Sequence, residues 1–465
     1  MLLAVYEAEA LRQLEDTSTY KRLEALPTLD QVFEPALAAL RKYDQHISKE
    51  HTAFILETYH KKSAKPAKFY MTIKVHKKPL TGRPICSSIG TATANASRWV
   101  DSILQPYLQR IPAHLKDSRS LIKTLEETRF PDDIDLCTAD VTSLYPSIPT
   151  DAGLAALREF LNYHHRDKEQ IPLILILAEW VLKFNILQFG NTSWLQINGT
   201  AMGTPFAVSY ATIFLDQLER KVLQQITAPE RPLLYKRYID DLLLVCLREQ
   251  HRRTFIALFN NQHATIKITD VPGNEVPFLD LSLSKGTRFQ LTGSLDISLF
   301  QKEQNKYLYI PPVSYHPPRI CRAFVKAELQ RFRTICSNDE DFNAAANRFL
   351  VRLRARGHDT ENYRDLFEEV PTRNEILAKI NSKQSKITAA PLLFKTTWNP
   401  RIARINMKHI LSIPDDIAET AEVKQIFKAR RPITCFKKAR SLGSFLSKAK
   451  HDFEVRPKEI SPPNT

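Results

Sequence analysis

Two adjacent carboxylates lie between two short apolar runs in the middle of the sequence. Asp240 and Asp241 follow residues 233–239 and precede residues 242–245, and both runs have the length and the apolar and aromatic content of β-strands. The pattern predicts a β-hairpin with the acids at its tip. Neighbouring carboxylates repel each other, but together they offer the oxygen ligands that divalent cations take. A solvated turn is the ordinary interpretation of a bare Asp-Asp dipeptide. A third acid upstream would favour a metal site over such a turn.

A third carboxylate of this kind occurs about a hundred residues earlier. Residues 135–140 predict a short strand that ends at Asp140, and Pro146 and Pro149 impose an irregular turn soon afterwards. An acid at a strand end, combined with the hairpin pair, is what a two-metal phosphoryl-transfer site requires, because both ions contact the attacking and leaving oxygens. Considered alone, Asp140 is equally consistent with an acid that caps the following turn.

Residues 69–85 predict a basic β-ribbon. They form a strand, a tight turn and a second strand, with Lys74, Lys77, Lys78 and Arg83 on or beside the turn. A ribbon of this kind can close over a triphosphate. The alternative is an edge hairpin whose lysines deter aggregation.

Residues 198–219 predict a small-residue loop that leads into a helix. Gly199 and Gly203 lie four positions apart, Thr204 is a suitable N-cap, and Pro205 fits the first helical position. The predicted apolar face comprises Phe206, Tyr210, Ile213, Phe214 and Leu218. Because this loop lies between the candidate acids in the sequence, its small residues would let a base pair approach the backbone closely.

The remaining pattern predicts a mixture of helices and strands. Helices are predicted within residues 1–62, 95–108, 118–128, 151–189, 251–261 and 319–356, and further strands at residues 265–269 and 276–284. Asp280, near the second of these strands, is interpreted as structural. The sequence therefore predicts an α+β fold.

Composition favours a polyanionic partner. The 465 residues include 66 Lys plus Arg against 51 acids, a formal net charge of +15, with 43% hydrophobic residues. Residues 373–465 alone hold 19 basic against 8 acidic residues. Such an asymmetry is typical of a face that grips nucleic acid.

Several other classes of protein are excluded. None of the 11 glycines forms the G-x-G-x-x-G motif of dinucleotide-binding proteins or the phosphate-binding loop of ATPases. The six cysteines show no metal-binding spacing. The longest apolar run, residues 171–184, is too short to span a bilayer and contains Glu179, so we expect no membrane association.

Taken in order, these segments resemble the reverse transcriptases of Penelope-like elements, retroelements whose polymerase is related to telomerase. The resemblance covers most of the chain, and five motifs in this order and spacing are far more specific than Tyr-x-Asp-Asp alone. The motifs are Lys74-Val-His-Lys with Gly82-Arg-Pro-Ile85, Ala139-Asp-Val-Thr-Ser-Leu-Tyr145, Ala201-Met-Gly-Thr-Pro205, Tyr238-Ile-Asp-Asp241 and Pro277-Phe-Leu-Asp280. Asp16-Thr-Ser-Thr-Tyr20, Thr397-Trp-Asn-Pro400 and Arg430-Arg-Pro432 resemble flanking segments of the family.

The resemblance implies a right-hand polymerase around an RNA template and a DNA primer. It implies a helical N-terminal extension (1–62), fingers (63–134), a palm with an antiparallel sheet (135–300), a helical basic thumb with the C-terminal region (301–450) and a disordered tail (451–465). Localisation would be nuclear, as the family and the basic C-terminal region indicate.

The resemblance also implies the roles of individual residues. Asp140, Asp240 and Asp241, with the main-chain carbonyl of Val141, would hold two Mg²⁺ ions. In the fingers, Lys74 and Arg83 would neutralise the triphosphate of the incoming dNTP. Tyr145 would exclude a ribose 2′-hydroxyl, and Gly203 would face the nascent base pair.

Two departures from the family bear on these expectations. An Asp-Lys strand usually precedes the segment that corresponds to residues 16–20, and here Met1 lies too close for it, so we expect the first fingers strand to be missing. No GIY-YIG nuclease module follows Arg430-Arg-Pro432, which indicates an endonuclease-lacking member or a fragment. The alternatives are another templated polymerase, telomerase-like or RNA-synthesising, and a non-catalytic remnant that binds nucleic acid. Tyr-Ile-Asp-Asp in place of Gly-Asp-Asp, and the bulky Tyr145, argue against RNA synthesis.

Overall fold

A computed structural model of the chain describes residues 3–74, 81–317, 319–383, 392–399 and 432–437. These residues form two compact units: residues 3–279 with 292–294, and residues 280–291 with the described residues from 295 onward. Both units contain helices and strands, which confirms the α+β class. The division falls at residue 279, within the segment 135–300 predicted as one domain. Among these residues no helix is long and apolar enough to cross a membrane.

The first unit is built from helices around two sheets. Its helices are α1 (Leu3–Leu14), α2 (Leu29–Lys42), α3 (Lys49–Ile55), α4 (Glu57–His60), α5 (Ala94–Leu108), α6 (Ser118–Glu127), α7 (Leu144–Ser147), α8 (Thr150–His164), α9 (Ile171–Lys183), α10 (Ala207–Gln225) and α11 (Glu249–Gln262). Its strands are β1 (Tyr20–Leu23), β2 (Ala67–Lys74), β3 (Thr81–Ser87), β4 (Asp135–Val141), β5 (Ile186–Phe189), β6 (Thr192–Gln196), β7 (Leu234–Tyr238), β8 (Asp241–Cys246), β9 (Ile268–Pro272) and β10 (Glu275–Phe278).

One sheet has five strands in the order β1-β6-β5-β2-β3. The antiparallel pair β2–β3 confirms the predicted ribbon. The expectation that residues 1–62 are helical is wrong at residues 20–23, because these residues form β1 and pair with β6. Likewise, the segment 151–189 holds the two predicted helices α8 and α9 but ends in strand β5.

Helix α1 binds the backbone of the β2–β3 hairpin with its polar side chains. The Met71 N–H donates to the Tyr6 hydroxyl at 2.8 Å. The Gly82 N–H donates to Glu9 Oε1 at 3.2 Å, and Gln13 Nε2 donates to the Gly82 carbonyl at 2.8 Å. Since the buried side of α1 packs on the apolar face of the same sheet, the helix fixes this hairpin from one side.

The other sheet of the first unit is antiparallel, with the order β7-β8-β4-β9. Residues 242–246 of its inner strand β8 are completely buried. Helices including α10 and α11 pack on one face, and β10 packs on β4 and β8. A strand covered on both faces requires a continuous apolar run rather than an alternating one, which is the pattern seen at Leu242–Cys246.

The second unit is mainly helical. Its elements are β11 (Leu281–Ser284), α12 (Thr287–Thr292), β12 (Asp296–Leu299), α13 (Arg319–Ile335), α14 (Asp339–Ala355), α15 (Arg364–Glu368), α16 (Arg373–Lys383), β13 (Leu392–Thr397) and β14 (Pro432–Lys437). Helices α13 and α14 confirm the helical pattern predicted for residues 319–356, and the rings of Phe332 and Phe349 meet between them, 5.5 Å apart. The single strand predicted at residues 276–284 is wrong, because Leu279 has a φ of +58° and divides it into β10 and β11. The tail predicted at 451–465 lies outside the described residues.

Candidate active site

The three candidate acids lie at one end of the four-stranded sheet. β7 and β8 form the predicted hairpin, with Tyr238 opposite Asp241 and a two-residue tip of Ile239 and Asp240. On the other side of β8, Asp241 lies opposite Asp140 of β4. The tip is also tied to β4, because the Val141 N–H donates to the Asp240 carbonyl at 3.0 Å. Acids a hundred residues apart in the sequence are thus neighbours in the sheet.

The side chains of Asp140 and Asp241 are open to solvent. They line one pocket together with Thr138, Ala139, Thr269, Val271, Pro277, Phe278 and Leu279. Within the described part of the chain, no three His, Cys, Asp or Glu side chains are grouped closely enough to hold one ion. Two cross-strand carboxylates beside a pocket do fit Mg²⁺, which keeps several waters and binds through one or two carboxylates plus substrate phosphates.

Tyr145 lies beside this acid cluster. It belongs to the one-turn helix α7, which follows β4 through Ser143, a residue with a left-handed φ of +49°. Burial is the largest cause that raises the pKa of Tyr145 to about 12; the Asp240 carboxylate also raises it, and the Arg83 guanidinium lowers it. The phenol is therefore neutral at physiological pH, and Asp240 and Arg83 are both close enough to act on it electrostatically.

Arg83 and Lys74 share the exposed face of the β2–β3 hairpin. In the register of the hairpin, Thr72 lies opposite Arg83 and Lys74 lies opposite Thr81. Because side chains alternate between the faces of a strand, Lys74 and Arg83 lie on the face opposite the buried Met71. Lys77 and Lys78, predicted on or beside the turn of this ribbon, lie outside the described residues.

Gly203 holds its loop against β3. Its φ is +121°, and a Cβ atom at this position would lie 2.3 Å from the Cys86 carbonyl oxygen. The Cys86 N–H donates to the Met202 carbonyl at 2.8 Å, and Ser88 Oγ donates to the Gly203 carbonyl at 2.8 Å. The same loop reaches Tyr145, whose carbonyl accepts from the Thr200 N–H at 2.9 Å. The Gly203 loop thus connects the sheet that carries Arg83 with the segment that carries Tyr145.

The predicted start of the helix after this loop is wrong. Helix α10 begins at Ala207, with Phe206 at the N-cap and no side-chain cap, so Thr204 and Pro205 lie in the preceding turns. Docking of Met202 and Gly203 on β3 delays the helix beyond the positions that local capping preferences favour. The predicted apolar face is confirmed, since all five of its residues are buried.

The structure adds a contact at Gly199 and two residues, Arg237 and Glu219, that the sequence does not predict for this site. Gly199 has a φ of +72°, and a Cβ there would lie 2.6 Å from the Cα of Pro146. Arg237 and Glu219 form a buried ion pair, with Arg237 two residues before the hairpin tip. No local pattern singles the pair out, because Lys236 adjoins Arg237 in β7 and Asp216 lies one turn before Glu219 in α10.

Solved structures similar to this chain include telomerases from two Candida species. Telomerase from Candida albicans in complex with the TWJ fragment of telomeric RNA is 9% identical, with a TM-score of 0.47 over 88% of this chain and 73% of that chain. Apo telomerase from Candida tropicalis is 13% identical, with a TM-score of 0.42 over 79% and 67%.

A Candida tropicalis form truncated from its C-terminal domain is 11% identical, with a TM-score of 0.39 over 54% of this chain and 59% of that chain. The chain thus spans less than two thirds of that protein. No protein-family model and no curated protein matches the sequence. At these identities and TM-scores, the similarity assigns no role to any residue of this chain.

Proposed function

We propose that the protein is an RNA-directed DNA polymerase of the Penelope-like class, which extends a primer 3′-hydroxyl with dNTPs. One observation carries the proposal: Asp140 and Asp241 face each other across two strands, with Asp240, Tyr145 and Arg83 beside them. Three separate segments of the chain thus contribute carboxylates, a ring and a cation to one place. These are the functional groups needed for templated nucleotidyl transfer.

The carboxylates are the metal-binding part of the proposed site. Asp140 and Asp241 would supply the facing oxygens, and Asp240 and the carbonyl of Val141 would complete the ligands of two Mg²⁺ ions. When bound, these ions activate the primer hydroxyl and stabilise the pyrophosphate leaving group. The chain's own task is to hold like charges together, which it does by fixing their backbones in paired strands.

The remaining site residues bind and select the nucleotide. Lys74 and Arg83 lie on one face of the hairpin, where they would contact the triphosphate. The neutral ring of Tyr145 would occupy the space of a ribose 2′-hydroxyl. Gly203 presents backbone without a side chain, and the nascent base pair would pack against its loop.

The second unit supplies a basic helical surface for the proposed duplex of RNA template and DNA primer. Arg348 and Arg354 are exposed on α14, and Arg319 and Lys326 are exposed on α13. Such side chains neutralise phosphates without reading sequence. We propose that this unit is the thumb and that the protein acts in the nucleus.

The test is extension of a labelled DNA primer on an RNA template by the full chain. We expect Mg²⁺-dependent incorporation of dNTPs that EDTA abolishes and that is much weaker with ribonucleotides. A DNA template run in parallel determines whether synthesis is RNA-directed. A folded protein that binds the duplex but incorporates nothing would overturn the proposal in favour of a nucleic-acid-binding remnant.

Replacement of Tyr145 with Ala should relax the choice of sugar. Removal of the ring opens space for a 2′-hydroxyl, so the preference for dNTP over rNTP in kcat/KM should fall by about 10-fold or more. Tyr145→Phe keeps the ring and is the matched control, with little change expected. An unaltered preference in the Ala variant would contradict the sugar-gate assignment.

A further inference from the structure

A buried cation belongs to the hairpin that carries two of the acids and lies two residues before its tip. Arg237, on β7, is completely inaccessible to solvent and forms an ion pair with Glu219 of α10. Its Nη2 also donates to Glu219 Oε2 at 3.3 Å and to the Thr212 carbonyl at 3.0 Å. The Tyr235 hydroxyl completes the pair by donating to Glu219 at 2.8 Å. The guanidinium is thus held in one orientation by several partners.

Stability alone does not explain such a pair. Removal of two charges from water is costly, and buried ion pairs can often be replaced by apolar residues of similar volume without loss of stability. The remaining donor of Arg237 indicates what the pair does. Its Nη1 donates to the carbonyl of Ile239 at 3.2 Å, and Ile239 immediately precedes Asp240.

The bond to Ile239 acts on a strained residue. Ile239 has a φ of +57°, in the left-handed region that β-branched residues disfavour. Such a conformation persists only where the surroundings enforce it. Arg237 holds the carbonyl of Ile239, and the Val141 N–H holds the carbonyl of Asp240.

The backbone of Arg237 is anchored as well. Its N–H donates to the Ala113 carbonyl at 2.7 Å, and its carbonyl accepts from the Leu115 N–H at 2.8 Å. The outer edge of β7 is therefore paired at this residue. A fixed strand position and a fixed side chain together make Arg237 a rigid support for the tip.

We propose that Arg237, oriented by Glu219, is a positioning residue that holds the hairpin tip in the conformation in which Asp240 and Asp241 bind metal beside Asp140. The inference rests on the proposed function, since it assigns a support to the same metal site. Arg237 does not touch substrate or metal. It acts through the backbone of Ile239.

The same sheet offers a matched control. Arg252 of α11 is also buried and ion-paired, to Asp135 and Asp270. Among the described residues, its hydrogen bonds go to the carboxylates of Asp135, Asp270 and Glu249 and not to the hairpin tip. Loss of Arg252 therefore removes a buried arginine and its ion pairs without releasing Ile239.

The experiment measures Mn²⁺ binding by electron paramagnetic resonance, with Mn²⁺ as the only ligand, together with amide hydrogen exchange of metal-free protein. We expect Arg237→Met to weaken Mn²⁺ binding about 10-fold or more and to speed exchange of the Val141 amide by a similar factor. Arg252→Met should leave both within about 2-fold. Arg237→Lys keeps a charge for Glu219 but lacks the planar fork, so it should fold even if the Met variant does not and still show both defects.

The possible outcomes separate the two proposals. If the wild type has no Mn²⁺ site that Asp240→Asn/Asp241→Asn removes, the proposed function fails, and Val141 exchange alone decides the role of Arg237. If the wild type binds Mn²⁺ and both Arg237 variants bind it equally well with unaltered exchange, the positioning role is overturned. Equal defects in the Arg252 variant would also overturn it, because loss of any buried ion pair would then suffice.

Discussion

The Asp240→Asn/Asp241→Asn double variant is expected to lose at least about 10³-fold of the Mg²⁺-dependent incorporation rate. Metal ions supply several kcal/mol of charge stabilisation in phosphoryl transfer, and each 1.4 kcal/mol corresponds to about tenfold in rate. Asn keeps the size of Asp but offers a neutral ligand. Primer extension under single-turnover conditions measures this loss, and Asp140→Asn should reproduce most of it.

Loss of activity should be accompanied by greater stability. Asp140 and Asp241 lie opposite each other in the sheet, and like charges at such positions are destabilising by about 0.2–1 kcal/mol. Thermal unfolding of Asp140→Asn without metal should therefore show an equal or higher Tm than the wild type. Added Mg²⁺ should raise the Tm of the wild type but not that of the variant.

Asp132→Asn serves as the control, since Asp132 is exposed in the turn before β4. It should change neither the rate nor the response to Mg²⁺. An acid variant that is inactive because it is unfolded would show a lowered Tm. A double variant that retains the wild-type rate would contradict the assignment of Asp240 and Asp241 to the active site.

Gly203→Ala should have the second-largest effect. The new Cβ would lie 2.3 Å from the Cys86 carbonyl oxygen, a backbone atom that cannot rotate away, and L-residues rarely adopt a φ of +121°. The loop must therefore leave β3 and give up its bonds to Cys86 and Ser88. We expect a loss of at least about 2 kcal/mol in the free energy of unfolding and about 10²-fold in incorporation rate.

Gly190→Ala is the matched comparison for Gly203→Ala. Gly190 also has a positive φ, +55°, but no atom lies within 4 Å of the position of its Cβ. It should cost only about 1–2 kcal/mol from backbone strain, with little change in rate. Denaturant unfolding and primer extension of both variants distinguish detachment of the loop from backbone strain. Equal effects of Gly203→Ala and Gly190→Ala would contradict the docking role of Gly203.

The sequence predicts those features of the fold that local patterns encode. The acid hairpin, the β2–β3 ribbon and helices such as α5 and α6 follow from apolar periodicity and turn residues, which act over short stretches of chain. Strand β1 was not predictable in this way, because its four residues are stabilised by pairing with β6, which lies far along the chain. The start of α10 was mispredicted for a related reason, since contact of its preceding loop with β3 overrides local capping.

In the candidate site, too, local patterns predict some features and tertiary contacts determine the others. The combination of a strand-end acid with an acid pair in a predicted hairpin indicates Asp140, Asp240 and Asp241, although each acid alone is equally typical of a turn. Their arrangement, with Asp140 opposite Asp241 and Arg83 close to Tyr145, depends on tertiary structure that no local pattern encodes. Arg237 is not distinguished from the neighbouring Lys236 by any local pattern, and only the fold shows that Arg237 is the buried one of the two.

The contacts of α1 also determine how the five-stranded sheet ends. β3 is an edge strand, and exposed edges invite pairing with strands of other molecules. On its outer side the Gly82 N–H and carbonyl are taken by Glu9 and Gln13, and the Cys86 N–H is taken by Met202. Pro84 between them has no N–H to offer. At these three positions a foreign strand finds no free donor, so the edge is protected from aggregation by the same contacts that hold the Arg83 strand in place.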